Sequence, residues 1–248
     1  MHEVLIMAMT RMLSGICTAG YINEPHTESG LRWVRPVKEF GSLLLGDMTD
    51  AAGRVVQMGD VVALALLQPR PDPTHTEDWL TDFVRRRPHL LRRLTGEKRA
   101  GFLAKHVDRA PDDVLQRQSR SLCLVRPAAV WATFFQDSYS GKYEARLGFR
   151  LDGLAHQRAN SAQGIPVTDL KWRALGRAWL ASNEPTAAGK RPTKQLSLEH
   201  SALQERLNVE TIYLSIGLSR PHRDKMWALV VGVHPVPDYT AAIDYDNL

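Results

Sequence analysis

Every second position is apolar along several stretches of the chain, a pattern that is typical of strands with one buried face. Residues 143–151 show it most clearly, because tyrosine, alanine, leucine, phenylalanine and leucine alternate there with polar or small residues. Residues 54–67 predict either two strands around the Gly59-Asp60 pair or one long bent strand. Further strands are predicted over 3–9, 31–37, 121–125, 130–135, 165–172, 211–219 and 225–233.

Between two strand-rich regions, the apolar spacing changes to that of helices. Thr76 is a suitable N-cap for a helix whose apolar residues fall at positions 79, 80, 83 and 84. Short helices are also predicted over 89–94, 98–106 and 111–118, another near 173–181, and a mobile loop over 182–197. The sequence therefore predicts a first β half over 1–73, a basic helical insert over 74–120, and a second β half over 121–248.

Positive charge is concentrated in the middle of the chain. The formal net charge is +5, yet residues 85–126 alone contain twelve Lys or Arg against four Asp or Glu. Such a cluster indicates a polyanionic partner, nucleic acid first of all. Two alternatives stay open: the arginines pair with acids elsewhere in the fold, or they dock an acidic protein partner encoded nearby.

Composition excludes several classes of protein. The chain has 248 residues, 44% of them hydrophobic, which is ordinary for a folded protein of one or two domains. Its two cysteines, Cys17 and Cys123, are too few for a disulfide framework or a cysteine zinc site. No apolar run reaches the roughly 18 residues of a membrane span, and the apolar start lacks the basic leader of a signal peptide. We therefore expect a cytoplasmic protein without membrane contact.

Three phrases, in this order, resemble the dual OB-containing domain family. They are RWVRPV at 32–37, GIPVTDLKW at 164–172 and YLSIGLSRP at 213–221, preceded by Arg11 and Gly20. The family is bacterial and is often associated with defence-type gene neighbourhoods. The resemblance covers nearly the whole chain and implies a mainly β fold with a helical insert (α+β), built on two OB-type, partly open barrels. Such barrels commonly bind single-stranded nucleic acid or nucleotides.

Two predicted strands place a cation and an indole on one face, because side chains two positions apart on a strand point the same way. Trp33 pairs in this way with Arg35, and Trp227 with Lys225. Binders of single strands use such pairs, since the ring stacks on a base while the cation follows the phosphates. The alternative is that both indoles belong to the core. The predicted ligand-binding residues are Arg11, Trp33, Arg35, Asp169, Lys171, Arg220, Arg223, Lys225 and Trp227, with electrostatic steering by Arg85, Arg86, Arg87, Arg92 and Arg93.

The Asp-x-Lys fragment at Asp169 and Lys171 favours a second hypothesis, a metal-dependent nuclease or nucleotide-processing enzyme. Its acid would share Mg²⁺ with a second carboxylate, Asp152 or Glu144. Phosphate loops of the Walker or dinucleotide type and the serine elbow of hydrolases do not occur in the sequence. We therefore expect a nucleic-acid or nucleotide binding protein of a defence-type system, one that catalyses no reaction and needs no cofactor or metal.

Overall fold

The computed structural model describes residues 1–12, 14–137, 139–182, 193–221, 223 and 225–245. They fall into two units, Met1–Cys123 and Leu124–Leu248. The fold is mainly β, which confirms the predicted fold class. A loop is predicted over 182–197. Its residues 183–192 lie outside the described part of the chain, and residues 193–197 belong to a strand. The division of the chain at 73 and 120 stays a prediction.

The described residues of the first unit form one sheet and three short helical segments. The strands are β1 (His2–Met12), β2 (Gly15–Asn23), β3 (Leu31–Val37), β4 (Asp60–Leu64), β5 (Leu66–Pro69), β6 (Asp78–Thr81) and β7 (His89–Arg93). The helical segments are a 3₁₀ turn (Leu45–Met48), α1 (Gly96–Lys105) and α2 (Asp112–Leu115). The strand order in the sheet is β5-β6-β3-β2-β1-β4-β7.

One bent strand curls this sheet into a partly open barrel. β4 pairs with β1, whereas β5 pairs with β6 at the far end of the sheet, and only Ala65 separates β4 from β5. Because one continuous stretch of chain pairs near both ends of the sheet, the sheet has to curl until those ends approach each other. Of the two alternatives for 54–67, the bent strand therefore describes the structure better, although it runs over 60–69.

Burial distinguishes the inner face of this barrel from its outer face. Ile6, Val34 and Val62 have no exposed surface, and they occupy alternate positions that point inward. The other positions point outward, since Glu3 and Arg92 form an exposed ion pair there, with 3.0 Å between Oε2 and Nη2. Cross-strand neighbours share a face. The partners of Leu5, which lies two residues from Glu3 on β1, are therefore on the outer face as well.

The second unit repeats part of the strand order of the first. Its strands are β8 (Leu122–Val125, whose first two residues precede the unit boundary), β9 (Ala129–Asp137), β10 (Tyr143–Arg150), β11 (Ile165–Pro166), β12 (Thr193–Leu198), β13 (Thr211–Leu218) and β14 (Ala228–Val236). Its helices are α3 (Leu170–Ala181) and α4 (His200–Leu207). They form two sheets in the orders β11-β10-β9-β12 and β14-β13-β8. A parallel bridge from Val167 to Val230 joins β11 to β14, just as β3 pairs in parallel with β6. Two barrel-like units of related topology are thus present, as the resemblance implies.

Two of the helices predicted for the middle region are wrong. The residues after Thr76 form β6, which fills the gap between β3 and β5, and residues 89–93 form β7 beside β4. Pairing with neighbouring strands overrides the local helical spacing there, and a helix over 89–94 would be too short to be stable by itself. The helices predicted over 98–106 and 111–118 are confirmed as α1 and α2, with shifted bounds.

Two predicted strands of the second unit have different bounds. β11 ends at Pro166, and α3 begins at Leu170 because the Asp169 side chain caps it, accepting the Trp172 amide at 3.1 Å. β14 begins at Ala228, so Lys225 and Trp227 precede the strand on which they were expected. The sequence pattern predicts neither β2 nor α4.

Replacing Gly20 tests how closely β1 and β2 approach each other. A Cβ atom at this position would overlap the Leu5 carbonyl oxygen, which is backbone and does not yield. Gly20→Ala should therefore lower the free energy of unfolding by about 1–3 kcal/mol, as overpacking does. Gly101→Ala is the matched control, since a Cβ there meets no atom within 4 Å and α1 gains helix propensity. Urea denaturation of both variants measures the difference, and equal stabilities would contradict the prediction.

Candidate nucleic-acid interface

The loop between β13 and β14 carries exposed cations beside one indole. Two hydrogen bonds close its base: the Ser219 amide donates to the Trp227 carbonyl at 2.9 Å, and the Trp227 amide donates to Ser219 Oγ at 3.0 Å. Between them Arg220, Arg223 and Lys225 are exposed, and residues 222 and 224 lie outside the described part of the chain. The sequence prediction named all three cations and the indole, and the structure brings them together in one loop.

Trp227 is 36% exposed, which is unusual for so large an apolar side chain. The guanidinium carbon of Arg158 lies 3.9 Å from the centroid of its ring. This cation–π contact is worth about 0.5–1 kcal/mol at an exposed site. It orients the indole without burying it, so the ring keeps surface on which a planar group can stack.

A single turn connects Trp227 to a second indole, Trp131 on β9. Ser161 Oγ donates to the Arg158 carbonyl at 2.7 Å, and the Ser161 carbonyl accepts the indole N–H of Trp131 at 3.1 Å. The Trp131 ring lies directly over Gly148 on β10, where a Cβ atom would overlap the ring. The turn at 158–161 therefore holds one tryptophan through its arginine and the other through its serine.

Trp33 and Arg35 share a strand face, and that face is the outer face of the first barrel. Tyr21 is the cross-strand partner of Trp33, with ring centroids 4.0 Å apart. Arg35 is only 8% exposed, and its Nε donates to Asp78 Oδ1 at 2.5 Å. Both residues are thus packed within the first unit, and their role in binding stays a prediction.

Ion pairs neutralise part of the basic middle region. Arg92 pairs with Glu3, and Arg93 Nε lies 2.7 Å from Asp60 Oδ1. Further pairs join Arg109 to Glu28, Arg117 to Asp112 and Asp113, and Arg120 to Asp108 and Asp113. These five arginines are therefore paired with acids, which is one of the two alternatives that the sequence leaves open.

Three adjacent arginines of this region are different. Arg85, Arg86 and Arg87 lie exposed in the turn between β6 and β7, and their side chains have no ion-pair partner among the described residues. The Asp82 carboxylate holds this turn by accepting the Val84 and Arg85 amides at 3.2 and 2.9 Å. Arg11 is likewise exposed, near the end of β1. These cations belong to the first unit, whereas the β13–β14 loop belongs to the second.

A family model described as a dual OB-containing domain matches residues 2–178, which reaches from β1 into α3. The chain belongs to the dual OB-containing domain family. No curated protein and no solved structure matches it significantly. For a dual OB-containing protein, the fold supports nucleic-acid or oligonucleotide binding as a broad class of function. Among its described residues, no helix combines the length and apolarity that crossing a bilayer requires.

Asp169 of this dual OB-containing protein has a structural role. It has no exposed surface, and its two oxygens accept the amides of Trp172 and, at 2.8 Å, Val233 on β14. Burial raises the pKa of this carboxyl from 3.8 to about 7, against the opposing effect of the two amides. Lys171 donates to Asp238 at 3.0 Å and lies over the Tyr239 ring. The pair expected for a Mg²⁺-dependent nuclease is thus engaged in packing α3.

A metal centre finds no support elsewhere in the described residues, where no three His, Cys, Asp or Glu side chains form a group able to hold a metal ion. The second unit does contain a cleft of about 360 Å³. Its charged lining is one cation, Arg126, against the carboxylates of Asp152 and Glu210, so a phosphate chain would meet an excess of negative charge. The cleft is therefore less suitable for nucleic acid than the β13–β14 loop.

The sequence prediction missed Arg158 and Trp131. Trp131 could have been found from the alternation along β9, which places it on the half-exposed face with Thr133 and Phe135. Arg158 lies in an irregular connection, and its contact with Trp227 joins positions 69 residues apart, so only the tertiary fold reveals it.

Asp169 makes the stability of the second unit depend on pH. Its native pKa of about 7 exceeds the unfolded value of about 3.9, so between these values the native state holds a proton that the unfolded chain has released. The free energy of unfolding should therefore fall as the pH rises from about 4 to about 7. Asp169→Asn should flatten this part of the profile. Urea denaturation at stepped pH measures it, with the exposed Asp152→Asn as the control that should keep the slope.

Proposed function

We propose that this protein binds single-stranded nucleic acid through the β13–β14 loop of its second unit. The observation that carries the proposal is the exposed indole of Trp227, oriented by Arg158 and flanked by Arg220, Arg223 and Lys225. OB-type barrels bind oligonucleotides through the face of their second and third strands and through two loops, one of which connects their last two strands. The β13–β14 loop is that connection in the second unit.

The chemistry of the loop fits an unpaired strand better than a duplex. Base–aromatic stacking contributes about 1–3 kcal/mol per base, and it requires a base whose face is open. The cations add an attraction to phosphates that does not depend on sequence. Trp131 lies at the other end of the turn at 158–161 and is partly exposed, so it is the next aromatic residue that a neighbouring base would meet. Contact with a second base would favour an oligonucleotide over a mononucleotide.

The first unit contributes electrostatic steering in this proposal. Arg85, Arg86 and Arg87 are exposed cations without a partner among the described residues, so they attract a polyanion over the distance of the Debye length. Arg92 and Arg93 are compensated by Glu3 and Asp60 and contribute less.

Recognition without cleavage is the second part of the proposal. Its support is the packing role of Asp169 and Lys171, the residues on which the nuclease hypothesis depends. A place in a cytoplasmic defence-type system, and an acidic protein partner encoded nearby, remain predictions that follow from the family resemblance and the charge cluster. Incubating a labelled single strand with the protein and Mg²⁺ tests the absence of cleavage, and specific shortening of the strand would contradict it.

Removing the indole should weaken binding. Trp227→Ala should raise the dissociation constant for a labelled oligodeoxythymidylate of about 12 nucleotides by roughly 5- to 150-fold, because one stacked base is lost. Trp227→Phe should restore part of the affinity. Phe40→Ala is the control, since Phe40 is an aromatic residue in the other unit that is even more exposed, at 80%. Fluorescence anisotropy measures all three, and equal affinities for Trp227→Ala and wild type would refute the assignment.

Removing the cations should change the salt dependence instead. The logarithm of affinity should fall linearly with the logarithm of salt concentration, with a slope of about −0.7 per phosphate contact on a single strand. Arg223→Ala combined with Lys225→Ala should make that slope shallower by about 1.4, while the preference among base sequences is unchanged. Arg86→Ala tests the steering residues in the same titration. A slope that stays the same in both variants would exclude phosphate contacts by these side chains.

A further inference from the structure

The cleft of the second unit brings together charged side chains that lie just outside its strands. Arg126 directly follows β8, Asp152 lies just after β10, and Glu210 directly precedes β13. All three residues are exposed, as charged residues usually are once a strand has left the core. They line one cleft of about 360 Å³, a volume within the range of pockets that bind small molecules.

Hydrogen bonds fix the backbone around this cleft. The Ala128 amide donates to the Arg150 carbonyl at 2.8 Å, which ties the segment after β8 to the end of β10. The Glu210 amide donates to the Val236 carbonyl at 3.1 Å, and the Glu210 carbonyl accepts Nε2 of Gln204 at 2.6 Å. The charged side chains therefore extend from backbone that is already in place, and little ordering has to accompany the binding of a ligand.

Opposite charges line the cleft without neutralising one another. The side chains of Arg126, Asp152 and Glu210 have no ion-pair partner among the described residues, so the guanidinium does not reach either carboxylate. His200 adds no charge, because its Nδ1 accepts the Val130 amide at 3.2 Å and therefore carries no proton. One cation and two anions are thus left, and each can still bind a group of opposite charge.

We propose that this cleft binds a free basic amino acid such as lysine or arginine. A ligand of this class carries one carboxylate and two cationic groups, which is the inverse of the charges that line the cleft. Its carboxylate pairs with Arg126, and its α-ammonium and side-chain cation pair with Asp152 and Glu210. A neutral amino acid would leave one of the two acids without a partner. A diamine would bring two cations but no carboxylate for Arg126.

The uncharged part of the ligand also has a counterpart in the cleft. Pro127, Val130 and Ile212 contribute apolar lining, and Val130 and Ile212 are only 1% and 3% exposed, so they form its floor. Between its charged groups a basic amino acid has a short chain of methylene groups. Contact of this chain with the apolar floor removes hydrocarbon from water and adds to the affinity.

This site is separate from the nucleic-acid interface. Glu210 precedes the first residue of β13, whereas the β13–β14 loop follows Leu218, the last residue of that strand. A strand of this length places the two sites roughly 23 Å apart. They share no residue, so the amino-acid site is tested without nucleic acid, and the failure of one proposal leaves the other unaffected.

Isothermal titration calorimetry of the full chain near neutral pH tests the ligand class. L-Lysine should bind with a dissociation constant below about 1 mM. Three relatives each lack one charged group: L-norleucine the side-chain amine, cadaverine the carboxylate, and Nα-acetyl-lysine the α-ammonium. Each should bind more weakly by about tenfold or more, because one charge-assisted contact is lost.

Two results with these ligands would overturn the proposal. One is the absence of lysine binding up to that concentration, and the other is equal affinity for lysine and norleucine. Equal affinity for lysine and Nα-acetyl-lysine would also contradict it, because the cleft would then recognise the C-terminal lysine of a peptide rather than the free amino acid.

Substitutions test whether binding takes place in this cleft. Glu210→Gln should weaken lysine binding by about tenfold or more. Glu205→Gln is the matched control, since Glu205 is an exposed acid on α4 that does not line the cleft, and it should leave the affinity unchanged. Arg126→Gln should weaken the binding of lysine but not of cadaverine, which has no carboxylate. Equal effects of Glu210→Gln and Glu205→Gln, or an equal loss of lysine and cadaverine in Arg126→Gln, would exclude this cleft as the site.

Discussion

The bend at Ala65 is the constraint on which the architecture of the first unit depends. It makes β4 and β5 one continuous segment that pairs with β1 on one side and β6 on the other. A flat sheet cannot satisfy both pairings, so the sheet curls and acquires an inside, which apolar residues such as Ile6 and Val34 fill. Curvature also creates an outer face. Only those parts of the outer face that other segments of the chain leave exposed can contact a ligand. The second unit has the corresponding parallel contact, between Val167 and Val230, but it has no continuous bent strand, because α4 separates β12 from β13.

The fold class could be predicted from the sequence because strand alternation and turn residues are local signals. β3 and β10 lie within one residue of their predicted bounds, at 31–37 and 143–150, for this reason. β6 and β7 could not be predicted in this way. Each is four or five residues long, and what makes it a strand is a neighbour distant in sequence, β3 for β6 and β4 for β7. Local spacing that also suits a helix gives no access to such partners.

The residues of the candidate site also depend on partners that are distant in the sequence. A tryptophan two positions from a cation occurs both at Trp33 with Arg35 and at Trp227 with Lys225, and the sequence treats the two pairs alike. The structure separates them. Arg35 finds Asp78, 43 positions along the chain, and becomes buried, whereas Lys225 stays exposed in a loop. Whether a basic–aromatic pair faces solvent is decided by distant acids and by covering segments. The candidate interface therefore includes Arg158, which no short motif contains.

The stack of Arg158 on Trp227 has a geometric consequence for what the loop can hold. One side of the indole is already taken by a guanidinium at 3.9 Å, so the ring is offered to a ligand from the other side only. A ligand that contacts both sides of the indole, as an intercalated base step does, would have to displace the Arg158 guanidinium from the ring. A base turned outward from its strand would need only one open side of the indole. It would then form the third layer of a stack, after the Arg158 guanidinium and the Trp227 ring. In the proposed binding mode the loop therefore offers one open face of an indole, which would favour strands that can turn a base outward.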